Sequence, residues 1–360
     1  TGHITFVIIF IFFSTLEAKN LDKYNKAENI ADYFSGIILL NQSKYSESYK
    51  YLKKLDGLEK SHITYSSKYL YSLINSGNFN QAFNFSKKLE KNNQDIFESN
   101  LIMGIYYLNN SKSELSKKYF LKAKKIKSRT ILDYFVIESL YVWSNLNNNF
   151  DDAIVNLSKI DNRFENLKKI QKVFLNCYFN TNEVQTSFEE LVLNQKTDFS
   201  RYNFFYAKYL ESSKQQTKAK RIIKESLKKN PRNLLLNQYK IDLENSENNF
   251  HFDCKKREHV IAEILYITAN ALSSQSIYPL SNFYLNLSKY LNKDFHAFDT
   301  LIAENFYQVN DLEKAKKKYE QLMNIGIAFK WYSAKQIARI LVKEEKKKES
   351  IKILKNSYKQ

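Results

Sequence analysis

Three windows decide the fold of this chain: GIILLNQSKYSESYKYLKKL (36–55), LYSLINSGNFNQAFNFSKKL (70–89) and GIYYLNNSKSELSKKYFLKA (104–123), which follow one another at a constant step. Small residues recur at one position of the windows, Ser48, Ala82 and Ser116, and bulky apolar residues recur at other positions. Small side chains let two helices approach closely, and bulky ones fill the space between helices. A step of about 34 residues with this pattern is typical of a helix-turn-helix repeat.

The composition also favours helices. The 360 residues include only Gly 6 and Pro 2, whereas sheets and long loops need more of both. Outside the windows, Ala153, Ala219 and Ala315 occupy small positions, and Ala315 follows Ser281 by the same step that separates the windows. The sequence therefore predicts an all-α solenoid of about nine helix-turn-helix repeats.

The repeats are predicted to form two arrays. Residues 21–245 contain repeats 1–6, a polar break covers residues 246–257, and residues 258–360 contain repeats 7–9. The last pair would leave Ile351 and Leu354 on an exposed apolar surface, although a solenoid needs a terminal unit that tolerates water. This favours a truncated array that continues in a longer chain, and the alternative is a last pair that caps itself.

The first segment, Ile4 to Phe13, is an apolar run of ten residues. A helix needs about 20 residues to cross a bilayer, so this run is too short to span one. Its length and the small residue Ala18 predict a signal peptide over residues 1–18, although the usual basic leader is missing. An uncleaved N-terminal anchor is the alternative. The signal peptide predicts a periplasmic or secreted bacterial protein, whereas the anchor would hold the protein to the membrane.

The formal charge of +18, from 56 Lys and Arg against 38 Asp and Glu, has two interpretations. An acidic partner, nucleic acid or an anionic membrane would be attracted to such a chain. The same surplus also follows from the Lys- and Asn-rich composition that AT-rich genomes encode, and the lysines are scattered along helices as solvated faces.

No catalytic constellation is found in the sequence, which contains no phosphate-binding Gly-rich loop, no His-Glu-x-x-His and no Gly-x-Ser-x-Gly. His251, Cys254 and His259 could approach a metal, but a zinc site usually needs four ligands. Two cysteines make no disulfide framework, so Cys177 and Cys254 are expected to be buried or half-buried thiols. The sequence predicts no catalytic, cofactor-binding or metal-binding residue, and no small-molecule substrate.

These repeats resemble the tetratricopeptide repeat (TPR) family over nearly the whole of residues 21–360. The third window matches best, with Gly104, Tyr107, Ser116, Phe120 and Ala123 at the family's positions. The family's Trp at the start of the first helix is absent from every pair, and among the prolines that end repeats only Pro231 is present. Residues 262–338, with YLNL at 284–287 and YSAKQIA at 332–338, are similar to secreted or envelope-associated TPR proteins of alphaproteobacteria.

The resemblance implies a right-handed superhelix in which the first helix of each pair lines a concave groove for a peptide or helix of another protein. It implies no reaction. We therefore expect a non-catalytic scaffold that mediates protein–protein interactions in the cell envelope or periplasm; the alternative is a basic solenoid that binds an anionic polymer or membrane surface. Residues at the family's inward positions would either bind a partner helix in the groove or simply pack against neighbouring A helices. These residues are Tyr33, Ile37, Leu40, Tyr71, Ile74, Leu101, Ile105, Leu108, Phe204, Lys208, Glu304, Tyr307 and Arg339.

Overall fold

A computed structural model describes residues 26–126, 130–146, 149–194, 196–247 and 249–358. Within these ranges the chain forms nineteen α-helices and two short 3-10 turns, and it contains no strand. The all-α prediction is therefore confirmed. The predicted signal peptide or anchor, residues 1–18, lies outside the described residues. None of the described helices is both long and apolar enough to span a bilayer.

Eighteen of the helices form nine consecutive hairpins, each with a first helix (A) and a second helix (B). The A and B helices of the hairpins are, in order, α1 (Ala27–Asn41) and α2 (Tyr45–Lys53), α3 (Ile63–Asn75) and α4 (Phe79–Lys91), α5 (Phe97–Asn109) and α6 (Ser113–Lys125), α7 (Ile131–Ser144) and α8 (Phe150–Ser158), α9 (Glu165–Phe179) and α10 (Val184–Val192), α11 (Tyr202–Ser212) and α12 (Gln216–Lys229), α14 (Arg257–Ser274) and α15 (Tyr278–Leu291), α16 (Phe298–Gln308) and α17 (Leu312–Leu322), and α18 (Ile327–Lys343) and α19 (Lys347–Tyr358).

Small residues lie where the two helices of a hairpin cross, as the repeated sequence pattern predicts. In three hairpins a serine of the B helix donates a hydrogen bond to the carbonyl oxygen of a small A-helix residue twelve positions earlier; the pairs are Ser48 to Gly36 at 2.7 Å, Ser281 to Ala269 at 2.8 Å and Ser350 to Ala338 at 3.1 Å. A Cβ atom at Gly36 would lie 2.6 Å from the Leu52 side chain, so only glycine permits this approach. The prediction of small residues at the crossings is confirmed.

The turns between A and B helices share one backbone feature. In eight hairpins of the described chain, a residue between the helices has a positive φ; these residues are Ser43, Gly77, Ser111, Asn180, Lys214, Ser276, Asn310 and Glu345. Several of them follow one another at the step of the sequence windows, so the sequence repeat is also a repeat of backbone conformation. Only one of the eight is glycine, although a side chain at positive φ costs about 1–2 kcal/mol.

Helix α13, Leu234–Asn245, falls outside the nine predicted pairs and has no B helix. It packs instead against α18, where the backbone N–H of Ala328 donates a 2.9 Å hydrogen bond to the side-chain oxygen of Gln238. The C-terminal hairpins also reach back along the chain: α14 packs on α7, and the Tyr284 hydroxyl donates to Asp133 at 3.2 Å across 151 residues. The hairpins therefore contact more than their neighbours in sequence.

The chain divides into two compact units, residues 1–102 and 103–360, with the division inside α5. The predicted polar break lies within the second unit, where residues 246–256 connect α13 to α14. The two cysteines are bonded to each other there, with Cα atoms 5.9 Å apart. The prediction of two thiols is wrong, because the end of α9 and this connection meet only through packing between residues 77 positions apart.

Candidate protein-binding surfaces

The structure separates the predicted groove residues into two groups by burial. Six are buried in the core, namely Leu40, Ile74, Leu101, Ile105, Leu108 and Phe204. The other seven are half-buried or exposed, namely Tyr33, Ile37, Tyr71, Lys208, Glu304, Tyr307 and Arg339. A buried side chain packs between helices and offers no surface to a partner. Only the seven residues of the second group therefore remain candidates for binding another protein.

In the first unit, the candidates lie beside an exposed apolar patch. The Tyr33 ring contacts the His62 ring at 5.1 Å, and burial raises the pKa of Tyr33. The Tyr71 hydroxyl donates to Glu98 at 2.6 Å. On α1, Phe34 is 58% exposed and Ile38 is similarly exposed, one helical turn away. This unit therefore presents aromatic and apolar side chains to solvent.

In the second unit, Phe204 is covered by the chain itself. Its ring lies 6.0 Å from Phe250, 5.7 Å from Phe295 and 4.9 Å from Tyr239. Phe250 belongs to the connection 246–256, and Phe295 follows α15. The A-helix face that the sequence assigned to a partner is thus filled at this position by later parts of the same polypeptide.

A buried ion pair stabilises this internal contact. The Arg201 guanidinium donates two hydrogen bonds to the Glu263 carboxylate, from Nε at 2.7 Å and from Nη2 at 2.9 Å. It also stacks 4.1 Å from the centre of the Tyr266 ring. Burial raises the pKa of Glu263, and the adjacent guanidinium opposes that shift. A guanidinium that donates two hydrogen bonds to one carboxylate fixes the relative orientation of the two side chains and also pairs their charges.

A cleft of about 530 Å³ opens beside the disulfide, and His251, Cys254 and His259 all line it. The Asp253 backbone N–H donates to His259 Nδ1 at 3.0 Å, and burial lowers the pKa of His259 to about 4. Cys254 is bonded to Cys177, so it has no thiolate to offer a metal. Among the described residues, no group of three or more His, Cys, Asp or Glu side chains could hold a metal ion.

The C-terminal hairpins bring three predicted residues together. The Arg339 guanidinium of α18 stacks 4.8 Å from the centre of the Tyr307 ring of α16. One turn before Tyr307 on α16, Glu304 accepts a 3.0 Å hydrogen bond from the hydroxyl of Tyr319. Lys208, in contrast, lies elsewhere in the unit, where its ammonium group pairs with Glu211 at 2.9 Å.

Sequence reasoning missed Lys343 on this surface and Trp331 on the same helix. Trp331 is 39% exposed on α18, and the Lys343 ammonium lies 5.3 Å from the Tyr307 ring. Arg339 and Lys343 are four residues apart, so they lie on one side of α18, whereas Trp331 lies about two turns before Arg339. That spacing is readable in the sequence. The surface formed by Glu304, Tyr307, Arg339 and Lys343 is called the α16–α18 surface below.

Positive charge is concentrated on the B helices. The nine A helices contain 10 Lys or Arg and 11 Asp or Glu, a net charge of −1. The nine B helices contain 25 Lys or Arg and 11 Asp or Glu, a net charge of +14. The lysines are scattered along the sequence, but those within the hairpin helices lie mainly on the B helices. The nine A helices are therefore close to neutral in sum and the nine B helices are basic in sum, although α18 carries four Lys or Arg and no acidic residue and α10 carries two Glu and no basic residue.

Comparison with known protein families and with curated proteins finds no match to this chain. Among solved structures, the chain is similar to one described as the APC/C hetero-tetramer Cut9-Hcn1, with 14% identity and a TM-score of 0.34. That match covers 89% of this chain and 54% of the other, so this chain spans about half the length of that protein. A second similar structure is described as Naa15/Naa10 bound to HypK-THB, with 12% identity, a TM-score of 0.25 and coverage of 91% and 68%.

TM-scores this low do not establish a shared overall fold. The helical-repeat organisation rests instead on the nine hairpins, their small crossing residues and the recurring turn. The described chain is an all-α solenoid of helix-turn-helix repeats.

Proposed function

We propose that this protein is a non-catalytic scaffold that binds a peptide or helix of another protein on the α16–α18 surface. The observation that supports it is the Arg339 guanidinium of one A helix stacked on the Tyr307 ring of the preceding A helix, with Tyr307 half-buried and Arg339 exposed. Tyr, Trp and Arg are the residue types that contribute most to protein interfaces, because they combine large contact area with directional polar groups. The Arg–Tyr stack is also formed before the partner arrives, which lowers the entropy cost of binding.

The test is a cross-linking pull-down with the full chain as bait. The double variant Tyr307→Ala/Arg339→Ala removes the stacked pair, and we expect it to recover less than about one tenth of the partner, since hot-spot truncations cost about 2 kcal/mol or more. The matched control is Lys317→Ala, which changes an exposed B-helix residue of the neighbouring helix α17. Equal recovery by the wild type and the double variant would refute this surface.

We further propose that the scaffold works in the cell envelope or is secreted. The Cys177–Cys254 disulfide supports this location, because disulfides persist in oxidising compartments and are rare in the cytosol. Trapping free thiols with a maleimide in intact cells, before any reductant is added, measures the bond in place. Full protection of both cysteines is the expected result. Two alkylated cysteines in freshly trapped protein would contradict the proposed location.

The second candidate function is binding to an anionic membrane or polymer, and the observation that favours it is the net charge of +14 on the B helices. Electrostatic binding weakens steeply as salt rises, whereas an aromatic contact persists. Sedimentation with phosphatidylglycerol vesicles at low and high salt separates the two. Vesicle binding that disappears at high salt, and that the Tyr307→Ala/Arg339→Ala variant retains, would assign this activity to the B helices.

A further inference from the structure

The most suggestive site outside the α16–α18 surface is a cleft of about 790 Å³ on the B-helix side of the second unit. It lies between α10 and α12 and beside residues 196–200, which lead into α11. The α12 residues that line it, with Asn230 just after the helix, are Lys218, Arg221, Ile222, Glu225, Ser226, Lys229 and Asn230. Their spacing by three and four places them on one face of α12. A volume of this size accommodates several residues of a bound peptide.

Two cations in this cleft make no hydrogen bond or ion pair within the described part of the chain, although Arg221 acts electrostatically on Glu189 and Lys229 on Glu225. No hydrogen bond or ion pair joins the side chains of Arg221 or Lys229 to a described residue, and both are exposed. They are eight residues apart on α12, so they stand about 12 Å apart along the cleft. The cleft therefore offers two separated positive charges.

The carboxylates of the same cleft are already engaged. Glu189 accepts a hydrogen bond from the Tyr206 hydroxyl at 2.7 Å and pairs with Lys218 at 3.1 Å, and these contacts lower its pKa. Glu225 pairs with Lys228 at 2.8 Å. Asp198 accepts a hydrogen bond from the backbone N–H of Ser200. These negative groups leave Arg221 and Lys229 unpaired, but they would repel a ligand with dense negative charge.

The wall of the cleft also contains apolar residues. Ile222 of α12 and Val192 of α10 line it, and Leu193 is 67% exposed at its edge. Ser226 lies in the same wall, but its hydroxyl oxygen is buried and closed to a ligand. The cleft therefore adds an apolar contact to its two positive charges.

We propose that this cleft binds an acidic segment of a partner protein, in which two carboxylates four positions apart flank one apolar residue. An extended peptide rises about 3.3 Å per residue, so carboxylates at positions i and i+4 lie about 13 Å apart and match Arg221 and Lys229. The side chain at i+2 points to the same face of an extended peptide as the two carboxylates, so an apolar residue there covers Ile222 and Leu193. The inference does not rest on the α16–α18 surface, because it concerns different helices.

The probe is a capped, fluorescein-labelled pentapeptide Glu-Ser-Leu-Ser-Glu, titrated with the full chain and followed by fluorescence anisotropy. The double variant Arg221→Ala/Lys229→Ala should bind it at least about tenfold more weakly, because two charge-assisted contacts are lost. The matched control is Lys220→Ala/Lys224→Ala, which removes the same charge from the same helix outside the cleft. It should stay within about twofold of the wild type, as expected for exposed charges that do not touch the ligand.

A third variant tests the apolar contact. Leu193→Ser should weaken the peptide by about threefold or more while leaving the melting temperature nearly unchanged, because Leu193 is 67% exposed at the edge of the cleft. Equal weakening by both double variants would show a diffuse electrostatic field and overturn the proposal. Absence of binding by the wild type at about 1 mM protein, or equal binding of a Lys-Ser-Leu-Ser-Lys peptide, would overturn it as well.

Discussion

Removing the Cys177–Cys254 disulfide should destabilise the second unit by about 3–4.5 kcal/mol. The bond closes a loop across 77 residues. In the chain-entropy account, closing a loop of that length in the unfolded state is worth about 4.5 kcal/mol at 25 °C, and native disulfides usually contribute a little less. The second unit spans residues 103–360, so its entropy of unfolding is about 0.5 kcal/mol/K. The loss should therefore lower Tm by about 6–8 °C.

The assay is thermal unfolding, by calorimetry and circular dichroism, of the wild type and of Cys177→Ala/Cys254→Ala, each with and without a reductant. Reductant should lower the wild-type Tm to that of the double variant and should leave the double variant unchanged. The thiol count of the denatured wild type without reductant should be zero. A shift below about 2 °C, or two titratable thiols in the untreated protein, would refute the reasoning.

Three further predictions concern single residues of the second unit. Arg201→Met should cost about 3–5 kcal/mol in urea unfolding because it leaves a buried carboxylate unpaired, and adding Glu263→Leu should restore most of the loss. Lys214→Gly should raise the free energy of unfolding by about 0.5 kcal/mol, since Lys214 has φ 59° between α11 and α12. Lys224→Gly, in the middle of a helix, should lower it by about 1 kcal/mol. The reverse order would contradict the positive φ of Lys214. His259 has a pKa of about 4 in the folded protein and about 6.5 when unfolded, so the unfolded state binds the proton first on acidification. The urea concentration at the unfolding midpoint should therefore be highest above pH 6.5 and should fall as the pH is lowered towards 4. The midpoint of His259→Gln should depend less on pH over the same range.

The helical hairpins could be predicted from the sequence because the contacts within each hairpin join residues that are close together in the chain. Ser48 meets Gly36 twelve residues away, and the same distance separates Ser281 from Ala269, so a constant repeat step records each crossing directly. The scarcity of glycine and the regular spacing of the turns also predict helical hairpins. For the candidate surface, Glu304, Tyr307 and Arg339 could be predicted, since the same family position recurs in successive A helices.

Only the tertiary structure shows where the chain folds back on itself. Phe204 is an inward position by its register, yet Phe250 and Phe295 bury it, and no local pattern links these residues. The same is true of α13 against α18 and of the disulfide across 77 residues. The cleft beside Arg221 likewise needs two hairpins to be placed together. Contacts within one repeat are determined by spacing along the chain, whereas contacts between distant repeats depend on the packing angles that add up from hairpin to hairpin, and small-residue positions do not specify those angles.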